Sequence, residues 1–388
     1  MQLLFYTPGV TTQVSPRLGA LDRLRGLIIV LMILDHASYF IARVHPLETW
    51  AAPWVYADTV SFVTRWITHL CAPGFFLLMG IGITRMAESR RSAGWSSTRI
   101  SLMLLTRGIV LLVVQHLVEN PAWLLGTLSL DPSVVGAAAE LPGQPGEIMF
   151  SFGVLSALGG GLIVAAALSS APSALLGAAA VVTMAVAGNL QPMPAEAQAA
   201  IPVWRLLLLV PGALGPLQVL YPLLVWLPPL FLGLVLGRPA TWERELPRTA
   251  ATLGAVLLGL FVVLRLAGLG DAHAPGAGVI GFLTVTKYPP AEAFFSLTLG
   301  IDLLLLAVLL RWPSLPVGWL ETYGRVPFFV YLAHLWVLAA LSFVFPTGAS
   351  FALTYLVWLA VVAGLLPAAA WYDRFKQSQP PASLWRLL

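Results

Sequence analysis

The side chains of this chain that could do chemistry are few, and most of them interrupt long apolar runs. The first group is Asp22-Arg23-Leu24-Arg25-Gly26, followed by Asp35-His36. In a helix, Arg25 and His36 would lie within about 20° of one face and roughly 16 Å apart along the axis, so one stripe joins a basic rim to a deep imidazole. An imidazole in that position is a candidate general base, and an adjacent carboxylate would stabilise the cation formed when it takes a proton. A second group is Thr64-Arg65-Trp66-Ile67-Thr68-His69, then Cys71-Ala72-Pro73-Gly74. Pro73 leaves the His69 carbonyl without its helical donor and can kink the helix there. Counting rises puts His69 about 8 Å beyond Asp35 in depth, so contact between them needs tilt or that kink.

Four further places stand out. His116 precedes Glu119, Tyr331 precedes His334, Lys287-Tyr288-Pro289-Pro290 opens an apolar run, and Asp302 lies inside one. For His116 or His334 alone, a packed histidine bonded to a neighbouring helix is a sufficient account. Lys287 is explained by a snorkelling stem and the prolines by a helix start. Asp302 has no partner that the sequence names.

The elements that must position these groups are set by the solvent. Hydrophobic residues make up 59% of the 388 and charged residues only 10%, where soluble domains carry roughly 25%. A lipid-embedded backbone must satisfy its own hydrogen bonds, and the apolar runs are continuous rather than alternating, so an all-α polytopic bundle is expected. Apolar windows predict ten helices near 26–44, 59–84, 100–118, 147–168, 173–190, 217–237, 247–268, 289–310, 321–345 and 350–372, forming a single membrane domain over 1–388. Loop arginines alternate. Arg17, Arg23 and Arg25 precede the first helix, Arg85, Arg90, Arg91 and Arg99 follow the second, and Arg238, Arg244 and Arg248 follow the sixth. Arg311 follows the eighth, and Arg374, Lys376 and Arg386 lie in the tail, so both termini are expected in the cytoplasm. The net charge of +4 is accounted for by these loops, and no nucleic-acid partner is expected. Residues 1–18 lack the basic region of a cleavable signal peptide. The one cysteine, Cys71, cannot form an intrachain disulfide. No phosphate-binding glycine loop, zinc-protease helix or cysteine-pair spacing occurs, so neither nucleotide hydrolysis nor a metal is expected.

The motifs taken together resemble the opening and downstream landmarks of bacterial proteins related to the heparan-α-glucosaminide N-acetyltransferase catalytic domain. The matching residues are Arg17-Leu18, Asp22, Arg25-Gly26, Met32 and Leu34-Asp35-His36, then 64–69 with 71–73. Lys287-Tyr288-Pro289-Pro290 follows with Thr298-Leu299-Gly300, and Tyr323-Gly324-Arg325-Val326-Pro327 with Tyr331 and His334. The Arg25 to His36 spacing is also similar to that of the wider transmembrane acyltransferase superfamily. The chain departs from these relatives at Ala291-Glu292 and at Asp302, and the lysosomal enzyme has asparagine where His36 stands.

The resemblance implies transfer of an acyl group, typically acetyl, from cytoplasmic acyl-CoA to an acceptor reached from the other face. On that reading Arg23, Arg25 and Arg99 would hold the CoA phosphates. His36 or His69 would act as base, His36 by preference, with Asp35 as its support. Lys287, Tyr288, Tyr331 and His334 would line the acceptor site. Acetyl-CoA is the expected donor, a small molecule or glycan the acceptor, and the bacterial plasma membrane the setting, with a homodimer left open. Two rivals remain at this stage. One is a secondary transporter using Asp35, His36, Asp302 and His334 as a path, and the other is a non-catalytic membrane protein whose polar groups only pair helices.

Overall fold

The computed structural model of the chain describes residues 16–50, 54–131, 150–189, 201–380, 383 and 385. Arg386, the 1–15 stretch and the first residues of the helix expected from 147 lie outside them. The chain starts with α1 (Pro16–Ala37), which runs on through a π-helical turn, Ser38–Ala42. Next, α2 (Thr59–Thr68) and α3 (Cys71–Ser92) form one bent rod, and α4 (Ser97–Val114) passes through a second π-helical turn, Gln115–Glu119, into α5 (Asn120–Leu128). A short strand β1 (Phe150–Phe152) leads into α6 (Val154–Leu168) and α7 (Ser173–Asn189). After α8 (Val203–Leu208) come β2 (Gly212–Leu214) and β3 (Leu217–Val219), then α9 (Leu227–Leu236), α10 (Pro239–Arg244) and α11 (Leu246–Ala267). The chain ends with α12 (Gly278–Leu283), α13 (Glu292–Arg311), α14 (Trp319–Arg325), α15 (Pro327–Leu341) and α16 (Phe351–Ser378).

Among the described residues, seven helical rods are long and apolar enough to cross a membrane. They are Leu18–Ala42, Thr59–Ser92, Ser97–Leu128, Leu246–Ala267, Glu292–Arg311, Pro327–Val344 and Phe351–Ser378. Three apolar helices are shorter, Val154–Leu168, Ser173–Ala185 and Leu224–Leu236. The molecule is a helical, multi-pass integral membrane protein. Three departures from the sequence reading have local causes. The helix expected over 59–84 is interrupted at 69–70, one turn before Pro73, which has no N–H to offer the His69 carbonyl. The helix expected over 321–345 is divided at Val326, ahead of Pro327. The region 217–219, expected to be helical, pairs instead as β3, antiparallel to β2 across a turn with φ +56° at Gly215 and parallel to β1.

α1 is the axis of the bundle. It packs against α2, α3 and α13 to α16, and its Leu24, Ile28, Ile29 and Ile33 are fully buried, as expected of a helix that is apolar on every side. Its closest neighbour is α14. A Cβ on Gly26 would run into the Leu320 carbonyl and one on Gly324 into the Asp22 carbonyl, so both positions demand glycine. Beyond α1, the pairs α11 with α13, α4 with α6, and α3 with α9 complete the packing.

Candidate functional site

One buried polar cluster is built where α1, α5 and α15 meet. His36 Nδ1 lies 2.7 Å from His334 Nε2, and the rings are stacked within 8° of parallel with centroids 4.9 Å apart. His334 Nδ1 lies 2.8 Å from the Val330 carbonyl, one turn earlier on α15. A carbonyl can only accept, so His334 carries its proton on Nδ1 and presents the lone pair of Nε2 to His36. His36 therefore donates from Nδ1, which leaves its own Nε2 as the basic nitrogen. The orientation of His36 is fixed further by Trp123 on α5, edge-on at 5.1 Å, and Tyr331 at 6.3 Å.

Two cavities approach this pair. The larger, about 420 Å³, has apolar walls from α3, α4 and α6 and carries Arg25, Arg107, Arg325 and Lys376. No Asp or Glu is among its lining residues. The second, about 280 Å³, is lined by Asp35, His36, Glu119, Trp123 and Tyr288. Tyr331 and Val154 line both. The Tyr331 hydroxyl faces the Glu119 carboxylate, short of full hydrogen-bond geometry, while Glu119 Oε1 accepts from Trp123 Nε1 at 3.2 Å. The π-helical turn containing Glu119 widens the rod at this point and turns the carboxylate inward, a distortion common at functional sites.

Beside the second cavity lies a buried charge network. Arg65 on α2 donates to Asp35 Oδ1 at 2.7 Å and to Glu48 Oε2 at 3.0 Å, and Thr68 adds a 2.6 Å bond to Asp35. Tyr56 donates to Glu48 at 2.8 Å. His69 Nε2 sits 3.3 Å from Glu48 Oε2 without hydrogen-bond geometry. Burial alone would raise the Glu48 carboxyl, but the adjoining Arg65 guanidinium holds it below the usual carboxylate range. Burial, with Arg65 close by, pushes the His45 imidazole down to about 3, so that ring is neutral where it borders the second cavity.

The expected site residues are thus distributed unevenly. His36, Asp35, Tyr288 and Tyr331 come together around the second cavity, and Arg25 lines the first. Asp35 and His69 do not meet, because Glu48, from the loop after α1, stands at His69 and Arg65 and Thr68 occupy Asp35. His334 is fully buried behind His36 rather than at the cavity wall. Lys287 is buried with its Nζ 5.1 Å from the Tyr288 ring, outside both cavities, and its backbone N–H donates to the Glu48 carbonyl. Arg23 pairs with Glu321 at 2.7 Å, and the Arg99 guanidinium stacks 3.8 Å over Trp95, so neither reaches the larger cavity. Both carboxylate oxygens of Asp302 are enclosed without a partner. Residues of the site that the sequence reading passed over are His45, Glu48 and Arg107. No protein-family profile matches the chain, and no curated protein matches it. Its function has to be read from the chemistry of the site.

Proposed function

We propose that the protein is a transmembrane acyltransferase that moves an acyl group, typically acetyl, from cytoplasmic acyl-CoA to a small-molecule or glycan acceptor reached from the other face. The observation that carries this reading is the sharing of Tyr331 by a cation-bearing apolar cavity and the cavity of His36. The donor and the acceptor would come from separate cavities and meet at that residue. In this arrangement all ten apolar helices would cross the bacterial plasma membrane, leaving both termini and the arginine-rich loops in the cytoplasm.

Arg25, Arg107, Arg325 and Lys376 suit the phosphates of CoA, since cationic donors form strong charge-assisted bonds to phosphate oxygens. Bound there, the donor supplies an activated thioester. His36 Nε2 takes the proton of the acceptor N–H or O–H as that atom bonds to the acyl carbon. The imidazolium so formed keeps its Nδ1–H on His334, whose Nε2 lone pair strengthens that bond as charge appears. Tyr331 turns its hydroxyl from the Glu119 carboxylate to the carbonyl oxygen and donates to it as negative charge builds. The carbon–sulfur bond breaks, the proton passes from His36 to the departing thiolate, and free thiol and acylated acceptor remain. Asp35, neutralised by Arg65, acts on His36 only through its field.

The test is incubation of purified protein with radiolabelled acetyl-CoA and cell-envelope extract, alongside His36→Ala. Label should move to an extract component with wild type and not with the variant. Transfer by neither protein, or equal transfer by both, overturns the reading.

A further inference from the structure

Arg107 is the cation whose position is hardest to explain without a ligand. It is the eleventh residue of α4, so it stands about 15 Å along the helix from Ser97, well within the apolar rod Ser97–Leu128. A charged side chain at such depth is costly unless it is paired or faces a polar cavity. The other two arginines of the larger cavity are compensated. Arg25 bonds Asp22 at 2.7 Å and the Gly324 carbonyl at 2.7 Å, and Arg325 bonds Asp373 at 2.7 Å and lies 3.7 Å from Glu321. Arg107 makes no ion pair among the described residues, its Nε is buried without a hydrogen-bond partner, and its charged neighbour is another cation, Arg90. The cavity it lines contains no carboxylate.

From this we infer that the larger cavity is an anion site in which Arg107 is the main contact for a phosphate diester or pyrophosphate carried on a slender apolar arm. The guanidinium is the side chain suited to this, because its planar fork meets two phosphate oxygens at once. The apolar lining from Leu78, Met79, Leu111 and Leu158 accommodates the arm, and Tyr331, which also lines the cavity of His36, is where the arm would meet that second cavity. Acyl-CoA and an anionic phospholipid both carry this chemistry. Assigning the arm to acyl-CoA rests on the acyltransferase reading, whereas the anion site itself does not.

The experiment uses full-length protein in nanodiscs of neutral phosphatidylcholine, comparing wild type with Arg107→Gln and Arg107→Lys. Each protein is titrated with acetyl-CoA, with acetyl-pantetheine, which lacks phosphates, and with inorganic pyrophosphate. A parallel set of nanodiscs contains phosphatidylglycerol. Wild type should bind acetyl-CoA and pyrophosphate. Arg107→Gln should weaken both by about tenfold or more, the loss expected for one charge-assisted contact, and Arg107→Lys by less. Acetyl-pantetheine should bind all three proteins alike. Acetyl-CoA affinity unchanged in a folded Arg107→Gln protein overturns the inference while leaving the acyltransferase reading standing. Arg107-dependent binding of pyrophosphate or phosphatidylglycerol with no acetyl-CoA binding supports the anion site and overturns the acyl-CoA reading. Competition of phosphatidylglycerol against bound acetyl-CoA only in proteins with a cation at 107 would show that one site takes both. Binding of none of these ligands by wild type overturns both.

Discussion

His36 donates to His334 from Nδ1 across 2.7 Å, and His334 is in turn held by the Val330 carbonyl. The chain of donors runs in one direction, so the basic nitrogen of the pair is His36 Nε2. Removing His36 should lower turnover by ~10²–10⁴-fold, the range for a lost general base. His334→Ala should lower kcat while leaving acyl-CoA affinity within a few-fold, because the ring is enclosed and lines neither cavity. A His334→Ala protein with wild-type kcat would remove the orienting role.

Asp35 should behave differently. Its carboxylate is bound by Arg65 and Thr68, and Arg65 also holds Glu48, so the three groups stand or fall together. Breaking a buried ion pair from one side costs roughly 3–5 kcal/mol. Asp35→Asn should therefore show its largest effect as a lowered melting temperature, with turnover reduced less than by His334→Ala. A variant with unchanged melting temperature and the turnover of His36→Ala would make Asp35 a chemical participant instead.

Acid should loosen the loop between α1 and α2. A histidine in the unfolded chain takes a proton near pH 6.5, whereas burial keeps His45 neutral down to about 3. Between those values the unfolded state binds more protons, so stability is greatest above about pH 6.5 and falls as the pH drops towards 3. Glu48 works in the same sense at lower pH, its contribution being lost as the pH falls through its depressed folded value. Thermal melts from pH 8 to 5 should show the decline, at most about 1.4 kcal/mol per pH unit from His45. It should be shallower in His45→Asn, and equal slopes would exclude His45 as the source.

Topology can be read by cysteine accessibility in a Cys71→Ala background. Cysteines at positions 90 and 242 should label from the cytoplasm and those at 131 and 275 from outside. Labelling of 90 and 131 from the same side would reduce the number of crossings.

What the sequence disclosed and what it hid follow from the range of each interaction. Apolar windows identify α1, α11, α13 and α16 because burial in lipid acts on every residue of a span. The interruptions before Pro73 and Pro327 were foreseeable in kind, since proline removes a donor whatever surrounds it. The Arg25 to His36 stripe was visible because both residues lie on one helix. The partner of His36 was not, because a contact between residues 298 positions apart leaves no periodic trace. Glu48 was hidden for a related reason. It sits in the connection between two predicted spans, where a glutamate is ordinary, and only the fold turns it inward onto Arg65. Arg107 was legible by the test that singled out Asp302, an ionisable group within an apolar run, and passed unnoticed among the arginines at the loop ends.

The stretch between α1 and α2 is secured at both ends. Arg43 donates to the carbonyls of Gly126, Ser342 and Phe345 and to the Ser129 hydroxyl. The Glu48 carbonyl accepts from the backbone N–H groups of both Lys287 and Tyr288, while its side chain holds Arg65. Five helices, α1, α2, α5, α13 and α15, are thereby riveted into one frame around the histidine pair. A hinge between any two of them would have to break several buried hydrogen bonds at once. Passage by rocking is poorly suited to such a frame, whereas a relay, in which only the parcel changes hands at a stationary threshold, asks nothing of it.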